Sequence, residues 1–252
     1  MRALNEKHYV QFRRKEIKLP TTGNEILYGK LLIKIKTLEP FLVSDGILWG
    51  RKYKFLRSDN ESIIIPGSSI KGAFRTFNEV FYNRKVIDEI FGSNGSMSKI
   101  MVNDVIISKK EFLKMEKDAK LPQQWGKTQK NYKDKYGGTI RLYRCDVQDK
   151  TTGKTVFSME SIDKDKEFEV IINFHRLSKD HIKYFLTAIG ANPKYPFSIK
   201  MGRGKNYKKG RVKVVFQKAV DHEGNEIKID WENIPNSLKE AINEYKERLR
   251  CK

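Results

Sequence analysis

Residues 66–75 combine the parts of an anion-binding site at the start of a helix. The sequence PGSSIKGAFR places two hydroxyls, Ser68 and Ser69, before Lys71 and Arg75, which lie about one turn apart. Backbone N–H groups at a helix N-terminus carry partial positive charge and favour phosphate. Either serine is expected to cap the helix. Taken alone, however, the segment favours an ordinary serine-capped helix with solvated charges.

A second cationic cluster occupies residues 202–210, with the sequence GRGKNYKKG. Arg203, Lys205 and Lys208 are candidates for phosphate contacts, and Tyr207 offers a ring on which a base could stack. The glycines would let the backbone approach a ligand closely. The loop is neither a Walker loop nor a dinucleotide fingerprint, because the spacing is wrong and no helix follows. A flexible, lysine-rich hairpin explains the loop alone equally well.

The overall charge favours a polyanionic partner. The 252 residues include 51 Lys and Arg against 31 Asp and Glu, a formal net charge of +20. Thermophilic proteins enrich lysine and glutamate together, and that explanation would give balanced signs. Residues 200–213 contain seven bases and no acid, whereas residues 221–249 contain eight acids and four bases. Nucleic acid is therefore the first partner to consider.

Cysteine content and hydropathy exclude several classes of protein. The two cysteines, Cys145 and Cys251, indicate neither a zinc site nor a disulfide framework. No stretch approaches the roughly 18 apolar residues of a membrane span, and the first residues lack an apolar signal core. We expect a cytoplasmic protein with no membrane partner.

The elements that position the two clusters can be predicted from hydrophobic periodicity. Strands are expected at Leu31–Leu38, Ser62–Pro66, Lys99–Ile107, Thr139–Cys145, Val156–Ile162, Glu167–Phe174 and Arg211–Lys218, and helices at Gly67–Asn83, Lys85–Phe91, Ser178–Ile189 and Ser237–Arg250. Phe41–Gly50 is interpreted as an apolar turn followed by a loop. The order lacks a regular βαβ rhythm, which favours an α+β fold with a mostly antiparallel sheet.

Residues 109–136 differ from their surroundings. They hold nine lysines and four acids, together with Trp125, Tyr132 and Tyr136, and show little periodicity. A long connection without its own structure is usually functional or disordered. We divide the chain into a domain at 1–218, which carries this basic insertion, and an extension at 219–252 with a polar helix.

The two clusters together resemble the RAMP superfamily, whose members form the Csm and Cmr effector complexes of type III CRISPR systems. The resemblance rests on Pro-Gly-Ser-Ser-Ile-Lys-Gly-(x)2-Arg in the first half and Gly-x-Gly-(x)5-Gly before a late strand. Phe91–Gly92 and Ser98–Asp104 are similar to the family's short helix, glycine turn and strand, and Phe157–Glu169 to its strand pair. The likeness covers about Leu31 to Phe216.

This resemblance implies a ferredoxin-like (RRM-like) RAMP fold with a glycine-rich loop, and a CRISPR RNA-binding subunit involved in antiviral defence. Its partners would be single-stranded CRISPR RNA, target RNA and other effector subunits. The RNA-binding residues would be Ser68, Ser69, Lys71, Arg75, Arg203, Lys205, Tyr207 and Lys208. The segment 109–136 would match the family's thumb, which inserts between bases. Binding itself would require no cofactor.

The resemblance leaves catalysis open. Target-cutting members of the family use an aspartate in the loop after the first strand, and Asp45 lies there in Leu42-Val43-Ser44-Asp45-Gly46. If Asp45 is catalytic, it would hold Mg²⁺ or another divalent ion in a metal-dependent endoribonuclease. The surrounding loop departs from the family's glycine-rich pattern, and aspartate before glycine is common in turns.

Two further alternatives involve other classes of protein. Repeat-processing endoribonucleases of the same superfamily use an early histidine, but no histidine occurs between Tyr9 and Phe174. A generic basic RRM-like protein would carry an aromatic RNP strand, and the sequence has none.

Overall fold

The computed structural model describes residues 9–18, 25–108, 112–120, 139–146, 156–205 and 208–251. The strands are β1 (Tyr9–Arg13), β2 (Leu27–Thr37), β3 (Ser44–Trp49), β4 (Lys52–Arg57), β5 (Ile63–Ile65), β6 (Ile100–Val102), β7 (Val105–Ile107), β8 (Leu113–Lys120), β9 (Thr139–Tyr143), β10 (Val156–Ile162), β11 (Glu167–Leu177), β12 (Ser198–Lys200) and β13 (Arg211–Asp221). The helices are α1 (Gly67–Phe81), α2 (Arg84–Phe91), α3 (Lys179–Ala188) and α4 (Asn236–Leu249).

A ferredoxin-like unit forms the centre of the fold. Its five-stranded antiparallel sheet has the order β12-β13-β2-β11-β6. The chain passes through β2, α1, β6, β11, α3 and β13, which is the β-α-β-β-α-β connection of ferredoxin-like domains. The α+β, antiparallel fold predicted from the sequence is therefore confirmed.

Alternating side chains fix the register of the two central strands. Leu31, Ile33 and Ile35 of β2 are buried and lie opposite the buried Ile172, Val170 and Phe168 of β11. A one-residue slip would turn every one of these side chains towards the solvent face of the sheet, so the apolar pattern specifies the pairing strongly.

The helices cover the inner face of this sheet. The apolar face predicted for α1 is buried, with the ring of Phe74 at 6.0 Å from the ring of Phe185 on α3. Ser178 caps α3, because its hydroxyl accepts the backbone N–H of His181 at 3.3 Å. Gly92 ends α2 with φ of 80°, a conformation that glycine adopts readily.

A second sheet is built from insertions between the ferredoxin-like elements. Its strand order is β7-β5-β4-β10-β8, and β3 pairs with β4. Three expectations are wrong here. Residues 44–49 form strand β3 rather than a loop. The single strand expected at Lys99–Ile107 is two strands in different sheets, because the chain turns at Asn103 and Asp104. Residues 113–120 of the basic insertion form β8, antiparallel to β10.

The rest of the basic insertion, residues 109–111 and 121–136, lies outside the described residues, as do Trp125, Tyr132 and Tyr136. What the thumb-like segment does therefore stays a prediction. None of the helices within the described ranges is long and apolar enough to cross a membrane.

The C-terminal helix α4 belongs to the core. Tyr245 is buried, its ring lies 4.6 Å from that of Phe197, and its hydroxyl donates to the Ser198 carbonyl at 3.2 Å. Leu238, Ile242 and Leu249 are the other large side chains on the buried face of α4. The predicted division at residue 218 falls inside β13 and stays a prediction.

A disulfide that sequence analysis did not anticipate joins the ends of β9 and α4. Cys145 and Cys251 are 106 residues apart in sequence, and their Cα atoms lie 5.1 Å apart. The Cys145 N–H donates to the Leu249 carbonyl at 2.8 Å, which brings the two cysteines together.

Candidate nucleic-acid interface

The N-terminus of α1 is occupied by the protein's own carboxylate. Pro66 is the residue before the helix and no side chain of the first turn caps it, so the predicted Ser68 or Ser69 cap is wrong. Both serines are exposed. Instead, the Gly67 N–H donates to Asp104 Oδ1 at 2.7 Å. A carboxylate at this position interacts favourably with the helix dipole and would repel a phosphate that approached the same N–H groups.

Gly67 is required by the same contact between the helix start and the β6–β7 connection. A Cβ atom at this position would lie 2.0 Å from the Val102 carbonyl oxygen. Only glycine allows the helix to begin this close to another backbone. The segment therefore positions α1 against the edge of the sheet, and its glycine serves packing.

Arg75 is bound within the protein. Its Nε donates to Glu79 Oε1 at 3.1 Å, its Nη1 to the Gly92 carbonyl at 3.1 Å, and its Nη2 reaches Asp88 Oδ1 at 3.5 Å. Lys71, one turn earlier, forms no ion pair with an acid in the described ranges. Partial burial and the nearby Arg75 charge lower the pKa of Lys71 from 10.5. Lys71 is thus the freer cation of the pair.

The glycine-rich loop is held by its first and last glycines. Gly202 and Gly210 have φ of 80° and 78°, and a Cβ atom would meet the carbonyl oxygens of Leu42 and Met201 at 2.3 and 2.2 Å. These glycines therefore allow the loop to approach the protein's own backbone, which differs from the ligand approach expected from the sequence.

Arg203 joins this loop to the second sheet. Its backbone N–H donates to the Leu42 carbonyl at 2.7 Å, and its Nε donates to Ser44 Oγ at 2.9 Å. Its guanidinium lies 3.9 Å from the centre of the Tyr53 ring on β4, within cation–π range. The glycine-rich loop consequently packs against one face of the β3–β4 hairpin.

The next cations of the loop are more accessible. Lys208 is exposed. Lys205 is exposed as a residue as well, but its ammonium lies 5.6 Å from the centre of the Tyr143 ring, and partial burial of that ammonium lowers the pKa of Lys205 from 10.5. Neither lysine pairs with an acid among the residues that the structure describes. Tyr207 lies outside the described residues, so its stacking role stays a prediction.

Several basic side chains near the loop are buried or paired within the protein. The side chain of Lys200 is only 1% exposed, and its Nζ lies 3.2 Å from Glu39 Oε2. Burial raises the pKa of Glu39 above 4.5, although the positive charges of Lys200 and Arg211 act against this shift. Lys209 is also buried. The run of seven bases between residues 200 and 213 thus contributes fewer surface charges than its sequence implies.

The two clusters lie at different edges of the central sheet. The α1 N-terminus contacts the end of β6, whereas the glycine-rich loop connects β12 to β13. Since β6 and β12 are the two edge strands, four strand spacings of about 4.8 Å, or about 19 Å, separate them. They are two surfaces rather than one site.

Asp45 is part of the β3 strand rather than a free loop carboxylate. Its Oδ1 accepts the Ile47 N–H at 2.9 Å, and its Oδ2 accepts the indole N–H of Trp49 at 2.8 Å. No group of three acidic, histidine or cysteine side chains that could hold a metal exists within the described ranges. This donor set does not match a metal centre, so we derive no metal-dependent step from it.

The histidines near α3 have structural partners. His175 Nε2 lies 2.9 Å from the Ser98 carbonyl oxygen, and His181 Nδ1 lies 2.7 Å from Ser178 Oγ. Burial lowers the pKa of His181 from 6.5, although Glu89 acts in the opposite direction. The His175 ring therefore contacts a backbone carbonyl, and the His181 ring contacts the serine that caps α3.

The β3–β4 hairpin is the feature that sequence analysis missed. Its strands are joined by Gly50 and Arg51, whose φ values of 51° and 65° are those of a two-residue type I′ turn. The alternation in KYKFLR after Gly50–Arg51 was a signal for this hairpin. The sequence of β3 shows no such alternation, because a bulge between Ser44 and Leu48 interrupts it.

Comparison with known proteins gives a family. The sequence profile of the RAMP superfamily matches residues 34–213. One similar solved structure is the crystal structure of oligomeric Cmr4 from Pyrococcus furiosus, with 13% identity, a TM-score of 0.44, and coverage of 80% of this chain and 100% of that chain. Another is the cryo-EM structure of the type III-B Cmr-beta complex bound to cognate target RNA. It has 16% identity, a TM-score of 0.47, and coverage of 80% of this chain and 61% of that chain.

No curated protein matches the sequence. The family profile, by contrast, spans well over half of the 252 residues, including α1, three strands of the central sheet (β6, β11 and β12) and the whole glycine-rich loop. The chain belongs to the RAMP superfamily.

Proposed function

We propose that this chain is a CRISPR RNA-binding subunit of a type III effector complex, acting in the cytoplasm in antiviral defence. The observation that carries the proposal is the surface formed by Arg203, Lys205 and Lys208 on a RAMP fold. Its exposed lysines have no acidic partners among the described residues, and the net charge of the chain is +20. Such a surface contacts phosphates in a way that positions RNA without reading its sequence.

The partners proposed with this function are single-stranded guide RNA, target RNA and other effector subunits. Lys71, with the exposed Ser68 and Ser69, forms a second and smaller contact surface at the opposite edge of the sheet. An RNA that reached both surfaces would have to cross the whole sheet, whose edge strands lie about 19 Å apart. Binding requires no cofactor in this proposal.

The metal-dependent endoribonuclease is the alternative with less support. Its candidate residue, Asp45, already accepts two hydrogen bonds, and it belongs to no metal-binding group in the described part of the chain. A repeat-processing enzyme has still less support, because the histidines His175 and His181 are engaged in structural contacts.

Binding of a labelled single-stranded RNA at several salt concentrations tests the proposal. Each phosphate neutralised by a lysine or arginine contributes about −0.7 to the slope of log affinity against log salt. We expect a steep slope and little dependence on RNA sequence. An affinity that barely changes between low and moderate salt, or a purified protein that carries no RNA from its host, would contradict the proposal.

A further inference from the structure

The β3–β4 hairpin presents an indole ring in a fixed orientation. The side chain of Trp49 is 51% exposed, yet its Nε1–H donates to Asp45 Oδ2 at 2.8 Å. Asp45 is itself fixed, because its other oxygen accepts the Ile47 N–H at 2.9 Å. The polar edge of the indole is therefore satisfied within the protein, while part of its apolar surface faces solvent.

This arrangement differs from that of the other tryptophan in the described residues. Trp231 is partly buried, and its ring lies edge-on to the Phe216 ring with centroids 5.1 Å apart. An exposed tryptophan contributes little to folding, since its value lies in the apolar area that it buries. The orientation of Trp49 therefore leaves apolar ring surface available to a ligand outside the chain.

The surroundings of Trp49 are cationic. Lys52 lies directly opposite it in the hairpin register, Arg51 occupies the turn between them, and Lys54 follows on the same face of β4. None of the three pairs with an acid in the ranges that the structure describes. Asp45 carries a negative charge beside these cations, and the N–H groups of Ile47 and Trp49 stabilise that charge.

Arg51 adds an independent indication. Its φ of 65° lies in the left-handed region, which residues other than glycine, asparagine and aspartate adopt at a cost. A glycine would fit this turn position without strain. An arginine at a strained, exposed hairpin tip indicates that its charge has a use there.

We propose that Trp49 is a stacking platform for an unpaired base of single-stranded RNA. Arg51 and Lys52 contact the phosphates beside that base, and Asp45 is the positioning residue that orients the indole. Aromatic rings surrounded by cations are the means by which proteins bind single strands with little sequence preference. The inference rests on the proposed function and adds to it a site on the face of the hairpin opposite the Arg203–Tyr53 contact.

A protein partner is the competing occupant of this surface, and the charges decide against it. Tryptophan and arginine are enriched in protein–protein interfaces, but lysine is depleted there. Around Trp49, the cross-strand neighbour Lys52 and the next residue on that face, Lys54, are both lysines. RNA neutralises those charges, whereas an apolar partner surface would have to desolvate them.

The test compares Trp49→Ala with Trp49→Phe in binding of labelled oligouridine to the full chain. Stacking of one base contributes a factor of about ten or more to affinity, so we expect Trp49→Ala to lose about tenfold and Trp49→Phe to recover most of it. Ile47→Ala, which alters an exposed apolar residue on the same strand, is the matched control and should change affinity less than twofold. Oligouridine should also quench a tryptophan emission that Trp49→Phe lacks.

Arg51→Gly and the Asp45 variants separate RNA binding from folding. Arg51→Gly removes the backbone strain at the turn, so thermal stability should stay the same or rise. RNA affinity should fall about threefold, as for the loss of a single exposed charge contact. Asp45→Ala should lower affinity and shift the Trp49 emission. Asp45→Asn, which keeps a carbonyl acceptor, should restore both.

Each contrary result has its own meaning. If the wild-type chain binds RNA but Trp49→Ala binds equally well, the stacking platform is wrong and the proposed function stands. If Trp49→Ala instead weakens association with another protein at unchanged RNA affinity, the hairpin is a protein-binding surface and the inference is likewise overturned. If the wild-type chain does not bind RNA, the proposed function itself fails.

Discussion

The two basic clusters look alike in the sequence and differ in the structure. At the start of α1, Asp104 accepts the first N–H group and Arg75 is held by Glu79, Asp88 and a backbone carbonyl. In the glycine-rich loop, Lys205 and Lys208 are exposed and pair with no acid in the described ranges. A cation is available to a ligand only where the fold brings no acid to it.

The difference concerns residues that are distant in sequence. Asp104 lies 37 positions from Gly67, and Glu39 lies far from the Lys200 that it neutralises. Local charge runs therefore overestimate a binding surface, because the acids that offset them come from other strands. The α1 cluster is mainly structural, whereas the loop and the neighbouring hairpin have the accessible charge.

The largest expected effect is on the free energy of unfolding, and it distinguishes substitution of Gly67 from substitution of Gly72 in α1. Gly67→Ala would place a Cβ atom 2.0 Å from the Val102 carbonyl oxygen, whereas at Gly72 an added Cβ meets nothing within 4 Å. We expect Gly67→Ala to lower the free energy of unfolding by about 3 kcal/mol or more, as severe overpacking does. Gly72→Ala should raise it by about 0.5–1 kcal/mol, the difference in helix propensity. Urea unfolding of both variants measures the contrast, and equal stabilities would show that α1 does not begin against β6.

The second prediction compares one cation from each cluster. Arg75→Ala removes hydrogen bonds to Glu79 and Gly92, and it leaves acids without their partner, so we expect a loss of about 2 kcal/mol in unfolding free energy. Lys208→Ala alters an exposed side chain and should stay within about 0.5 kcal/mol. Thermal or urea unfolding checks both values. A destabilised Lys208 variant beside an unaffected Arg75 variant would reverse the assignment of the two clusters.

For RNA binding we expect the opposite ranking of the two clusters: substitutions in the glycine-rich loop should weaken binding more than a substitution at the start of α1. The double variant Lys205→Gln with Lys208→Gln should reduce the slope of log affinity against log salt by about 1.4, since each lysine neutralises one phosphate. Lys71→Gln should reduce it by no more than about 0.7. Lys228→Gln with Lys239→Gln, in the acidic C-terminal part of the chain, is the matched control and should leave the slope unchanged. An equal reduction in the control would mean that binding depends on net charge alone.

Periodicity was enough to predict β2 and α1, whereas the ferredoxin-like arrangement of the central sheet was implied by the family resemblance. The alternation of β2 and the apolar face of α1 are dense and uninterrupted, so burial determines both elements. β3 could not be found in this way, because its bulge places three residues, 45–47, opposite the single residue Lys54 on β4. The Cys145–Cys251 disulfide depends on a contact across 106 residues, which no local pattern contains.

The candidate site was predicted less completely than the fold. Lys71, Lys205 and Lys208 are accessible as their polar surroundings suggested, while the partners of Arg75 and Arg203 come from other elements. The orientation of Trp49 was not predictable either. It depends on a side-chain hydrogen bond to Asp45, a residue that the family resemblance made a candidate metal ligand while leaving catalysis open.

The smallest effect on activity is expected for substitution of Asp45, the residue that the sequence offered as a catalytic candidate. If Asp45 held a divalent ion, Asp45→Asn would abolish metal-dependent cleavage of target RNA by the assembled complex, because a metal ligand supplies charge stabilisation that an amide does not. Both Asp45 oxygens already accept N–H groups, at 2.9 and 2.8 Å, and an amide oxygen can still accept the indole N–H. We therefore expect Asp45→Asn to leave any cleavage by that complex unchanged in rate and spacing, and to leave Mn²⁺ binding by the chain unchanged in calorimetry. A loss of cleavage with intact guide-RNA binding would instead make this aspartate a metal ligand, and the hairpin would then hold the scissile phosphate beside the base that Trp49 stacks.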